Sequence, residues 1–340
     1  MDTFISLLIF LVVVYLIYYY NKSSFGEVSP NDQTIFVSVA SFRDIECTQT
    51  LDQLFSKAKN RDRIYVGVCE QNKTDEESCT FNLNLSKEFI NEHVRKVIIP
   101  YSIAKGPTKA RYYCSTLYNG EDYFMQIDSH SQFAQNWDES LINMIKTLQS
   151  MGYPKPLLSN YPVSKDEINN TTDDNVPVLC ESNFNDNKIP FFMAHMLSPK
   201  LDAQIPFCSG GLIFTLGKIL NEVPYDPDLP YLFTGEELLY SARAWTSGYD
   251  IFSPDKNVIF HHYTREDSPK VWNDVKNYNA EYAETKVRAI LKIPLLNDPE
   301  VSFNELYGLG KMRTVEDYFK FAGLDPENKV SKSKDIFCKR

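Results

Sequence analysis

The apolar run Tyr123-Phe-Met-Gln-Ile127 ends abruptly in Asp128, and His130 stands two positions further on. A carboxylate and an imidazole at that spacing can point at one ion, and an oxygen–nitrogen donor pair suits a divalent cation of the Mn²⁺ type better than a thiol-rich zinc site does. The alternative role is local, with Asp128 capping the next segment and His130 on the surface. Of the five histidines, three lie where apolar runs stop: His130, and the pair His261-His262 after Asn-Val-Ile-Phe. One of that pair can supply a third ligand, while the other bonds a backbone carbonyl. His93 and His195 have no such setting.

Cationic groups stand near these donors in the chain. Arg111 and Lys109 fall in Gly-Pro-Thr-Lys-Ala-Arg at the start of a helical pattern. A guanidinium there can engage a diphosphate with its planar fork and an ammonium can add a point charge, or both can belong to a solvated helix face. Arg43-Asp44, after the first apolar run, is a natural place to hold a nucleoside. Ser209-Gly210-Gly211 is expected inside a strand, where glycine marks the close approach of a backbone or a ligand such as a sugar. Gly235-Glu236-Glu237 opens a helix, so its carboxylates either face a ligand or complement the positive helix end.

The elements that must position these groups follow from periodicity. Strands are expected at 35–41, 64–69, 97–100 and 123–128, with helices near 48–59, 86–96 and 107–118 between them. Short apolar runs alternating with amphipathic helices predict βαβ units and a mostly parallel sheet buried on both faces. Ligands bind at the carboxyl ends of such strands, where Asp128 falls. Asn136 and Glu139 predict a capping box for the helix ending at Ser150. From 151 to 206 the punctuation predicts a loop-rich insertion with short strands at 157–161 and 176–181. Patterning resumes at 207–216, with a helix near 235–247 and strands at 249–254 and 257–263, then a charged helical tail.

Composition narrows the classes. With 340 residues and 43% hydrophobic content the chain can bury a real core, which excludes disorder. Its net charge of −10 disfavours nucleic acid as a partner, because phosphate binding needs a basic face. Seven scattered cysteines with no C-x-x-C pair read as mostly free thiols. Residues 4–20 form an uninterrupted apolar and aromatic run, expected to be a single-pass membrane anchor (1–21) followed by a polar linker (22–33). A signal peptide and a buried core helix are the alternatives. The side of the membrane is open: Lys22 after the run favours a cytosolic domain, whereas sequons at Asn21, Asn72, Asn84, Asn169 and Asn170 suit a luminal one.

Taken in order, Gly-Pro-Thr-Lys-Ala-Arg, Asp-Ser-His, Ser-Gly-Gly, Phe-Thr-Gly-Glu-Glu with Ala-Arg-Ala-Trp-Thr-Ser-Gly-Tyr-Asp, and His-His-Tyr-Thr-Arg resemble a nucleotide-sugar glycosyltransferase over roughly residues 34–265. The resemblance is to the hydroxyproline polypeptide N-acetylglucosaminyltransferases, and more distantly to the mucin-type polypeptide N-acetylgalactosaminyltransferases. It implies an α/β fold with a GT-A-like (Rossmann-like) domain at 34–265, preceded by the transmembrane helix and followed by a C-terminal helical extension at 266–340. It also implies Asp128, His130 and His262 as metal ligands, and Arg111 with Lys109 beside the diphosphate. Ser41 and Arg43 of the matching Val-Ser-Val-Ala-Ser-Phe-Arg-Asp, with Asp128, would hold the donor. Gly210 and Gly211 would lie beneath the donor sugar, and Glu236 would touch its hydroxyls.

The implied reaction is retaining transfer of N-acetylglucosamine from a UDP-sugar, with Mn²⁺ or another divalent cation, to a polypeptide hydroxyl on hydroxyproline or Ser/Thr. Two features depart from the pattern. No lectin repeat follows the domain, and an N-terminal anchor is not expected of the cytosolic hydroxyproline enzymes. A glycan acceptor, a metal-dependent hydrolase using Glu236 as base, and a non-catalytic carbohydrate-binding protein are the other readings. The segment 151–206 and the tail are the expected acceptor walls, with Tyr161, Phe191, Phe192 and Trp272 as candidate stacking surfaces.

Overall fold

Ile35–Phe42 (β1), Ile64–Asn72 (β2), Val94–Pro100 (β3) and Tyr123–Asp128 (β4) are the β-branched and aromatic runs of the N-terminal half, and each forms a strand. They belong to a seven-stranded sheet completed by Pro156–Ser159 (β6), Leu212–Leu216 (β10) and Asp250–Phe252 (β11). The smaller strands are Ser131–Phe133 (β5), Val163–Ser164 (β7), Val176–Phe184 (β8), Pro190–Leu197 (β9), Ile259–His261 (β12), Leu324–Asp325 (β13) and Val330–Ser331 (β14). The computed structural model describes residues 33–172, 175–186, 189–294 and 301–339.

Sheet order is β11-β6-β10-β4-β1-β2-β3. β1 lies parallel to β2 and β4, β2 to β3, and β6 to β11. β10 runs against both β4 and β6, so the sheet is mixed, although four of its six pairings are parallel as expected. The reason is connectivity: the chain reaches Ser209-Gly210-Gly211 beside the carboxyl end of β4, with Leu212 opposite Ile127, and β10 must run away from there. Those three residues therefore precede the strand, where an internal strand position was expected.

Alternation along β1 divides the core. Phe36 packs into one apolar cluster with Phe124 and Ile213, while Ile35, Val37 and Val39 pack with Met125 and Ile127 on the other face. Helices cover both faces: Cys47–Ser56 (α1), Lys87–His93 (α2), Pro107–Ser115 (α3), Trp137–Ser150 (α4), Ile219–Glu222 (α5) and Glu236–Thr246 (α6). Asn136 starts α4 in a left-handed conformation, and its side chain makes no capping bond. The expected capping box is absent; Asp138, in the first turn, turns outward from the helix to accept from Lys59 N, Asn60 N and Arg63.

The insertion is more regular than expected, because β8 and β9 form a long antiparallel hairpin. The tail carries Val271–Asp274 (α7), Glu281–Ile290 (α8), Val315–Ala322 (α9) and Ser333–Phe337 (α10), and Val287, Tyr318 and Phe337 enter the core of the α6 face. Residues 34–340 group as one unit. Two cysteine pairs are bonded, Cys47–Cys79 and Cys180–Cys338, which corrects the reading of mostly free thiols. Partners 32 and 158 positions apart meet only through the fold, and no local spacing announces them. Cys69, Cys114 and Cys208 are free and buried. No helix among the described residues is long and apolar enough to cross a membrane. The anchor expected at 1–21 lies outside the described residues, as does the linker at 22–33 apart from Gln33.

Candidate active site

Two sheets converge on Asp128. β4 delivers it at its carboxyl end, and the turn to β5 carries His130. β5, β12 and β7 form a small second sheet whose antiparallel register sets His261 opposite Ser131. His261 Nε2 consequently lies 3.1 Å from Asp128 Oδ2, and the His130 and His261 rings meet edge to face at 4.5 Å. One carboxylate oxygen and two imidazole nitrogens fall within 4.8 Å of one another, the one cluster of this kind among the described residues.

His262, the expected third donor, is placed elsewhere. It follows the last residue of β12, lines the cleft, and its Nδ1 meets Glu46 Oε1 at 2.6 Å. The side chain that completes the cluster is His261, which is buried with its Nδ1 lacking a partner. This donor set fits a divalent cation of the Mn²⁺ type: hard and borderline donors, no thiolate, and an orphaned buried imidazole nitrogen. Burial alone would push the Asp128 carboxyl up, but His261, Arg111 and His130 beside it hold it well below the usual range.

Behind His130 stands Asp44. Its Oδ2 is 2.8 Å from His130 Nδ1, 2.6 Å from Ser129 Oγ and 2.9 Å from the Arg265 guanidinium. Burial would raise this carboxyl, and His130 and Arg265 lower it overall, so it stays anionic. The contact fixes the proton on Nδ1 and leaves Nε2 as the lone-pair nitrogen, facing Arg265 Nη1 at 3.3 Å.

Arg111 reaches the same place from α3. Its Nη2 is 3.3 Å from Asp128 Oδ1 and 3.1 Å from Gly210 O, and Nη1 pairs with Glu236. A side chain at Gly210 would crowd Arg111, since a Cβ there would meet the guanidinium nitrogens at 3.0 and 3.1 Å and push them aside by a few tenths of an ångström. Gly235, left-handed at φ 94°, turns the chain into α6 and sets Glu236 and Glu237 at its start. Glu237 accepts from Gly210 N at 2.8 Å and from the Tyr161 hydroxyl at 2.5 Å, tying the glycine segment to the helix. Burial raises its carboxyl above the ordinary range despite those bonds.

A cleft of about 550 Å³ opens over these groups. Arg111, Asp128, His130, Gly210, Gly211, Glu236 and His262 line it, together with Tyr161, Phe191, Phe192 and Trp272, so most of the expected positions come together. Three do not. Lys109 donates to Pro227 O and lies over the Tyr112 and Tyr113 rings; Ser41 is fully buried in β1; Arg43 pairs with Glu77 and with Asp274 of α7. None of the three lines the cleft, because each side chain is committed to these partners or to the strand interior. Asp44, Glu237, His261, Tyr263 and Arg265 complete the site. Each of these stands in or beside a motif read from the sequence, Asp44 after Arg43, Glu237 after Glu236, and His261, Tyr263 and Arg265 in His-His-Tyr-Thr-Arg, but only His261 is a metal-ligand candidate there.

Comparison with known proteins agrees in kind. No curated protein sequence matches the chain. Solved structures similar to it include GalNAc-T7 with UDP, GalNAc and Mn²⁺ (13% identity, 78% of this chain, 49% of that one, TM-score 0.49). S. aureus TarS 1-349 with UDP-GlcNAc is similar at 14% identity (78% and 68%, TM-score 0.48). The mannosyltransferase PcManGT from Pyrobaculum calidifontis with GDP-Man and Mn²⁺ is similar at 15% identity (81% and 68%, TM-score 0.45). The chain spans 60% of a further TarS 1-349 structure and about half of GalNAc-T7. Residues 34–88 and 82–328 match the model of the family described as Glycosyltransferase (GlcNAc), well over half the chain and well beyond Arg265, and the chain belongs to that family.

Proposed function

We propose that this protein is a metal-dependent, GT-A-like glycosyltransferase that moves N-acetylglucosamine from a UDP-sugar to a polypeptide hydroxyl, with hydroxyproline first and Ser/Thr second. The observation that carries the reading is the Asp128–His130–His261 cluster in a cleft that Gly210, Gly211 and Glu236 also line, with Arg111 joining Asp128 to Gly210 and Glu236. The family's description supports the sugar, and the resemblance of the ordered motifs supports the donor and the acceptor.

Asp128, His130 and His261 would hold the cation, which when bound neutralises the donor diphosphate and favours its departure. Arg111 keeps a fixed positive charge beside Asp128, where charge develops as the sugar leaves, and its ties to Glu236 and Gly210 O pre-set that position. Glu236 offers a carboxylate to sugar hydroxyls. Backbone at Gly210 and Gly211 permits close approach of the sugar ring, and the aromatic wall excludes water that would otherwise compete with the acceptor. Membrane attachment through residues 4–20 belongs to the same proposal.

UDP release from UDP-N-acetylglucosamine, measured with and without Mn²⁺ and with peptides that do or do not contain hydroxyproline, tests this. Mn²⁺-dependent release stimulated by the hydroxyproline peptide is expected. Release that is equally fast without acceptor would favour a hydrolase, and preference for another donor would overturn the sugar assignment.

A further inference from the structure

The short loop between β1 and α1 touches both histidine motifs at once. Asp44 Oδ2 holds His130 Nδ1 at 2.8 Å, and Glu46 Oε1 holds His262 Nδ1 at 2.6 Å, next to His261. Asp44 also accepts from Glu46 N through Oδ1, so the two carboxylates are set relative to each other. The residue that follows, Cys47, is bonded to Cys79. The segment before Cys79 grips the other end of the loop, where Glu77 pairs with Arg43, a residue in left-handed conformation. The four-residue loop 43–46 and the first residue of α1 are thus pinned at both ends to one neighbouring segment.

We propose that residues 43–47 act as a clamp on the metal site, with Asp44 and Glu46 as positioning residues and the Cys47–Cys79 bond as the fastener that keeps them in register with His130 and His262. The inference rests on the reading of Asp128, His130 and His261 as ligands. Carboxylates behind a ligating imidazole set its tautomer and direction, and losing one costs about 10–100-fold in metal affinity. A bond one residue from Glu46 and three from Asp44 restricts both carboxylates through a short stretch of backbone. The second bond, Cys180–Cys338, joins β8 to the end of the chain, and neither of its cysteines lines the cleft, so it provides an internal control.

The test is Mn²⁺ binding to the full-length chain, by calorimetry and by the spin-resonance signal of free Mn²⁺, alongside thermal unfolding. Asp44→Asn is expected to weaken Mn²⁺ by about 10–100-fold, and Glu46→Gln by less, since it acts through the neighbour of His261. The Cys47→Ser/Cys79→Ser pair should weaken Mn²⁺ by about tenfold, the low end of that range. Cys180→Ser/Cys338→Ser should lower the melting temperature while keeping the parent's affinity. Loss of melting temperature with parent affinity in both Cys47→Ser/Cys79→Ser and Asp44→Asn would overturn the clamp. Should the cysteine pair fail to fold, Asp44→Asn and Glu46→Gln decide alone with the bond intact. Absence of Mn²⁺ binding by the parent would overturn the metal reading and the clamp with it, an outcome distinct from the first.

Discussion

His261 Nε2 lies 3.1 Å from Asp128 Oδ2, while its neighbour His262, just past the end of β12, turns its Nδ1 to Glu46. The Glu46 contact commits His262, so His261 is the one of the two that joins the cluster. His261→Ala is therefore expected to weaken Mn²⁺ at least about 100-fold, since a direct ligand is worth no less than an outer partner. His262→Ala should cost roughly tenfold or less by the same scale. Parallel Mn²⁺ titrations of the two variants check this, and the reverse order would restore His262 as the ligand.

Gly210 lies where Arg111 needs space. A Cβ would sit 3.0 Å from a guanidinium already tied to Asp128, Glu236 and the Gly210 carbonyl, so the buried side chain cannot yield freely. Gly210→Ala is expected to lower kcat by roughly 10²-fold, the scale of a 1 Å misplacement. Its melting temperature should change little, because the strain falls on one side chain at the cleft. Kinetics and thermal unfolding of the variant separate these effects.

The floor of the site was legible because β4 is an apolar run that stops at Asp128, and burial of that run fixes where its carboxylate emerges. Choosing between His261 and His262 needed the register of β12 on β5, a pairing across more than a hundred residues with no local mark. Asp44 was equally silent as a partner of His130, 86 positions away. Lys109 and Arg43 carried the right charge at the right ends of elements, yet Lys109 binds the Pro227 carbonyl and Arg43 anchors α7. Charge at a strand or helix end gives proximity to a site, and side-chain direction is decided by packing.

Glu237 supplies a pH test. Burial raises its carboxyl in the folded state, so the folded chain holds that proton more tightly than the unfolded chain, whose carboxyl keeps its ordinary value of about 4.3. The resulting stability is fully present below the unfolded value and is lost as pH rises through the folded one. Glu237→Gln removes this loss, since the amide can accept from Gly210 N and donate to the Tyr161 hydroxyl. The melting temperature of the variant relative to the parent should rise between pH 4 and pH 7.5. A constant difference would count against an elevated Glu237.

Asp138, in the first turn of α4, ties that helix to the segment before β2. Fully buried, it accepts from Arg63 Nε at 3.0 Å and from the backbone N–H groups of Lys59 and Asn60. Asp138→Ala strands the buried guanidinium and two backbone donors, at a cost of about 3–5 kcal/mol. Urea unfolding should show that loss, with Mn²⁺ affinity of the folded fraction unchanged.

Trp272 stands on α7 at the rim of the cleft, 48% exposed and edge-on to Phe233, which is 62% exposed. Phe191 lines the same wall from β9, whereas Phe192 stacks on Phe207 and is committed to the core. Exposed aromatic surface beside a polar floor is where an acceptor can stack without disturbing the metal donors. Arg43 fixes that wall by pairing with Asp274 on the same short helix. Trp272→Ala is expected to raise the acceptor KM about tenfold, roughly the 1.4 kcal/mol at the upper end of one aromatic contact, while UDP and Mn²⁺ affinities stay at the parent's values. Arg43→Ala frees α7 and also releases the Glu77 end of the 43–47 loop, so it should produce a smaller acceptor shift together with weaker Mn²⁺ binding. If donor affinity falls and acceptor KM does not, Trp272 belongs to the donor side and the acceptor wall must lie elsewhere.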